Sequence, residues 1–137
     1  MFLHSELVQT IQNFLIKHIN PSFIIVFGSY AKGTTHKESD IDIAFYCKGH
    51  SPTSYELFML AQELADLLKI EVDLVNLRTA STVFQAQIFS TGKVIFCEDE
   101  TLRMNMQMTA LSMYAKLNED RMPILNNVDE SGSIYEK

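Results

Sequence analysis

Residues 5 to about 19 place Leu7, Ile11, Phe14, Leu15 and Ile19 three and four positions apart, the spacing that lines apolar side chains along one face of a helix. Asn20-Pro21 ends it, because a residue before proline is driven out of the helical region. Phe23 to Phe27 is an apolar, partly β-branched run stopping at Gly28, which predicts a buried strand. From Ser39 to Tyr46 the pattern alternates, with Asp40 and Asp42 on one face and Ile41 and Ile43 on the other. Tyr55 to Lys69 returns to helical spacing through Leu57, Leu60, Leu64 and Leu67, entered through Ser51-Pro52-Thr53-Ser54. Ile70 to Leu77 alternates again: Ile70, Val72, Leu74 and Asn76 point one way, Glu71, Asp73 and Val75 the other. Ala80 to Thr91 reads as a helix ended by Gly92, and Lys93 to Cys97 as a short strand.

The last periodic segment, Asp99 to Leu117, has two opposed apolar faces. Leu102, Met106, Ala110, Met113 and Leu117 form one, and Met104, Met108, Leu111 and Ala115 the other. Burial of both in the domain's own core is the plainer expectation; a Met-rich contact for another chain is the alternative. Asn118 to Lys137 is rich in Asn, Asp, Glu and Ser without a period, which predicts a polar, mobile tail after a domain spanning residues 1–117. The fold class is α/β.

The composition narrows the possible functions. The chain has 137 residues, 47% of them apolar, enough for one core. A net charge of −6 argues against a protein held on nucleic acid by phosphate neutralisation. No apolar run approaches the roughly 20 residues of a membrane-spanning helix, and the first residues lack a basic leader, so a cytoplasmic protein is expected. Cys47 and Cys97 lie in apolar strand-like stretches and read as free thiols.

Chemistry concentrates between residues 28 and 42, where Gly28-Ser29 is followed by ten residues and then Asp40-Ile41-Asp42. A glycine directly after a buried strand lets backbone approach a ligand, while the Ser29 hydroxyl and neighbouring amides can face a phosphate. Thr34 follows Gly33 where a Walker loop requires lysine, and no dinucleotide fingerprint occurs. Asp40 and Asp42 leave one strand face with Cα atoms roughly 6.5 Å apart. Their repulsion is relieved by a proton or a cation, and hard oxygen donors select Mg²⁺ or Mn²⁺. Asp73 can supply a third carboxylate, which would let two ions serve in-line phosphoryl or nucleotidyl transfer. Glu71, on the same face, is the substitute. Lys32 and Lys37 could screen a triphosphate or simply be solvated, and His36 reads as a surface residue. Gly28-Ser29 alone would pass for a turn and Asp73 alone for an edge charge, but the combined pattern arises by chance only on the order of once in a thousand such chains.

This signature resembles that of the polymerase-beta-type nucleotidyltransferase superfamily, and the short length resembles its minimal nucleotidyltransferases, the antitoxins paired with HEPN-domain toxins. The resemblance implies a small mixed sheet flanked by helices, and Mg²⁺-dependent transfer of AMP from ATP to a tyrosine of the HEPN partner. It assigns the triphosphate to Gly28 and Ser29 and the metal to Asp40, Asp42 and Asp73. Two other functions compete: an antitoxin acting by binding alone, and nucleotidyl transfer to a small hydroxylated molecule.

Overall fold

A computed structural model describes residues 5–28, Tyr30 and 40–130, with side chains described only as far as Asn118. Its described elements are α1 (Ser5–Ile19), β1 (Phe23–Phe27), β2 (Ile41–Tyr46), α2 (Ser54–Leu68), β3 (Val72–Asn76), α3 (Thr82–Thr91), β4 (Lys93–Cys97) and α4 (Glu100–Glu130). The strands form one sheet in the order β3-β2-β1-β4. β1 pairs antiparallel with β2 and β4, whereas β2 and β3 run parallel. Parallel neighbours need a crossover, and α2 provides it. The sheet is therefore mixed, as expected.

Period-two alternation along β1 gives the sheet two buried faces. On the first, Ile24, Val26, Ile41 and Ile43 pack with Leu7, Ile11, Phe14 and Leu15 of α1 and Leu64 of α2. On the second, Phe23, Ile25, Phe27 and Ala44 pack with Ile88 and Phe89 of α3 and Ala110 of α4. Residue chemistry fixes the helix ends. Asn20, at φ 47°, turns the chain out of α1 in the left-handed region that Asn tolerates. Thr53 and Glu56 form a reciprocal capping box on α2, Ser81 caps α3, and Asp99 Oδ1 accepts the Leu102 N–H at the start of α4. Gly92 does close α3, but with an extended backbone; its absent side chain matters because a Cβ there would run into Ile25 Cγ2.

The structure corrects three expectations. Leu67 is 59% exposed and Leu68 packs in its place, because the buried stripe of α2 runs through Leu60 and Leu64 at intervals of four. The second face of α4 is not core: Met104 and Met108 are exposed, since α4 meets the domain only along Leu102, Met106 and Ala110. Finally, α4 continues past Leu117 to Glu130, so the first part of the expected tail has helical backbone. Cys47 is a buried free thiol donating to Ile19 O, and Cys97 is free and half-buried.

Candidate active site

The signature residues meet at one end of the sheet, where β1 finishes and β2 and β3 begin. Asp42 lies opposite Phe27 on β1 and opposite Asp73 on β3. Register partners on neighbouring strands stand about 4.8 Å apart and share a sheet face, so the two carboxylates emerge side by side on the α3 and α4 side. Asp40 is exposed and immediately precedes β2, because the ladder starts where the Ile41 N–H donates to Glu71 O at 2.9 Å. Glu71 is exposed, one alternation outward from Asp73.

Gly28 follows β1 with φ 77°, a left-handed conformation that disfavours other residues. A Cβ on it would strike Asp42 Oδ2 and come within 3.3 Å of Asp42 Cγ. The glycine is thus required twice, once by its backbone angle and once by the carboxylate against it. Phe27, 9% exposed, stands beside Asp42 and is braced edge-on by Phe84 at 5.7 Å between centroids. This apolar wall escaped the sequence reading, since only the strand register shows that Phe27 and Asp42 are opposite.

Burial pushes the Asp42 carboxyl above the usual carboxylate range, and the charges of Asp73 and Asp40 push it further in the same direction. Asp73 and Asp40 thus both bear on Asp42. Among the described residues, however, no three Asp, Glu, His or Cys side chains are gathered closely enough to form a closed cage. Hard oxygen donors, mutual repulsion and a backbone stripped of Cβ fit a site for a divalent cation whose remaining ligands come from a phosphate-bearing substrate. Ser29, Lys32, Gly33, His36 and Lys37 lie outside the described residues.

A cavity of about 860 Å³ opens at the other end of the sheet, between the last turn of α1 and the first turns of α2. Arg78 shapes its rim by donating to Lys48 O and Gly49 O, both at 2.8 Å, and stacking over Tyr46. It is separated from Asp42 by the length of β1, roughly 13 Å.

A mixed sheet with paired strand carboxylates beside a glycine turn defines a nucleotidyl-transfer domain. The profile of the polymerase beta nucleotidyltransferase family matches residues 9–101, and the chain belongs to that family. It is 38% identical over 105 residues to protein adenylyltransferase MntA of Shewanella oneidensis, covering 77% of this chain and 74% of that protein. Among solved structures it is similar to a toxin-antitoxin structure with AMP-PNP, at TM-score 0.78 and 35% identity over 88% of this chain and 97% of that one. It is also similar to a chain of the tri-AMPylated Shewanella oneidensis HEPN toxin in complex with MNT antitoxin, at TM-score 0.74 and 31% identity, covering 90% and 96%. No described helix is long and apolar enough to cross a membrane.

Proposed function

We propose that the chain is a cytoplasmic protein adenylyltransferase antitoxin that transfers AMP from ATP to a tyrosine of a HEPN-domain toxin. The observation that supports this is the close approach of Gly28 to Asp42, whose register partner is Asp73, a glycine set against two carboxylates. Similarity to MntA and to the AMPylated toxin complex supplies the acceptor class. Gly28 and Ser29 would hold the triphosphate, and Asp40, Asp42 and Asp73 would hold Mg²⁺. The chemistry such an ion would supply there is neutralisation of phosphate charge.

The chain's own groups do the rest. The turn at Gly28 fixes the triphosphate against β2 so that the α-phosphorus faces the acceptor. The tyrosine oxygen forms the new P–O bond as the bond to the β-phosphate bridge breaks, and pyrophosphate departs. Asp73, exposed on the edge strand, accepts the phenolic proton. Phe27 and Phe84 keep water from one side of Asp42. Intact-mass spectrometry of the toxin after incubation with this chain, Mg²⁺ and each nucleoside triphosphate tests the assignment. Added AMP units that vanish with Asp40→Asn/Asp42→Asn are expected. An unmodified toxin that nevertheless binds tightly would overturn it in favour of neutralisation by binding alone.

A further inference from the structure

α4 is far longer than the body it packs on. Its 31 residues extend roughly 46 Å at 1.5 Å per residue, whereas four strands side by side span only about 15 Å. The packing reflects this. Leu102, Met106 and Ala110 fall on one stripe and join the second core, with Ala110 2% exposed. The same stripe continues to Met113 and Leu117, which are 52% and 37% exposed, with Tyr114 beside them. A core-type stripe thus outruns its core. Met106 and Thr109 border a small crevice with Gln85, whose side chain donates to Leu77 O just past the C-terminal end of β3. β3 is the edge strand that carries Asp73.

Two observations narrow what covers this arm. The family match ends at residue 101, so the part of α4 beyond Ala110 lies outside the matched transfer domain. The chain is also acidic, with a net charge of −6. A second copy would bring the same charges to the contact, which like-charge repulsion opposes. A partner offering an apolar groove rimmed by Lys and Arg would complement both stripe and charge.

We propose that the half of α4 beyond Ala110 is the docking arm for the protein substrate, seated in a basic-rimmed apolar groove of the toxin. This rests on the proposed function for the identity of the partner. Flexible Met side chains suit such a contact.

The test uses the full chain carrying Met113→Glu and Leu117→Glu, compared with wild type for toxin affinity by calorimetry and for transfer kinetics. Both side chains are solvent-exposed, so the thermal midpoint of the free chain is expected to stay unchanged. Toxin affinity should fall at least tenfold, with KM for the toxin rising in parallel while kcat at saturating toxin and the KM for ATP hold. Wild-type affinity should also weaken as salt rises. An unchanged affinity overturns the proposal. So does a free wild-type chain that is dimeric by light scattering and becomes monomeric on substitution, because a second copy then occupies the arm. A wild-type chain that binds the toxin through α4 yet never modifies it would sink the proposed function and leave the docking arm standing.

Discussion

A methyl group at residue 28 would occupy the space of a carboxylate oxygen, which makes Gly28→Ala the sharpest single test of the site. The variant carries a strain of about 1–2 kcal/mol for a left-handed backbone, and it must displace Asp42 as well. Misplacement of a reacting group by an ångström costs about 100-fold in rate, so single-turnover transfer should fall at least that far. Gly49→Ala is the control, because nothing lies within 4 Å of a Cβ there, and its rate should match wild type. Equal rates for both variants would remove Gly28 from the site. Asp42 makes a second prediction at this scale. Burial first, then Asp73 and Asp40, raise its carboxyl in the folded chain, so the folded state holds its proton to higher pH than the unfolded state does. Without divalent ions its contribution to stability is therefore largest below the ordinary carboxylate pKa and is lost as pH rises through the raised value. Asp42→Asn should raise the thermal midpoint in EDTA at pH 7 and flatten that acid-side dependence, while abolishing transfer. A variant less stable than wild type under those conditions would show that the charge is not the burden described.

At the scale of elements, helices and strands answer to different information. Spacing alone located α1, β1 and β4 to the residue and the other elements to within a few positions, apart from the C-terminal end of α4, because amphipathic periods and local caps are written in consecutive residues. It could not tell Leu64 from Leu67, which share helical spacing, yet one is fully buried and the other exposed. Leu64→Ala should cost about 2–5 kcal/mol in urea unfolding and Leu67→Ala less than about 0.5; similar losses at both would contradict the packing. Thr53→Ala, which removes half of the capping box, should cost about 1 kcal/mol. The carboxylates were legible as a motif because Asp40 and Asp42 are close in sequence. The setting of Asp42 was not, since Phe27 and Asp73 become its neighbours only through strand register, a non-local property. The open end of α4 escaped for a related reason: an apolar period announces a face to be covered without saying which chain covers it.

For the whole molecule, two cores share one sheet and the candidate site sits where that sheet is electrostatically weakest. Two strands begin there with carboxylates, Asp40 and Asp42 at β2 and Asp73 on β3, and the chain as a whole is acidic. Ligand binding at that end should therefore stabilise the entire fold, since the sheet joins both cores into one cooperative unit. Mg²⁺ alone should raise the thermal midpoint by screening Asp42 from Asp40 and Asp73. Mg²⁺ together with a non-hydrolysable ATP analogue should raise it further. At a hundred times the dissociation constant the gain is about 2.7 kcal/mol, on the order of 8–10 °C for a chain of this size. The analogue without Mg²⁺ should do little, because a triphosphate then meets uncompensated carboxylates. In Asp42→Asn the combined increment should disappear even though the variant starts from a higher midpoint, a crossing of the two melting series that simple loss of stability does not produce. A shift of equal size with and without Mg²⁺, or one that survives Asp42→Asn, would mean that the nucleotide binds away from the β1–β2–β3 end. The 860 Å³ cavity at the opposite end of the sheet would then be the place to look for it.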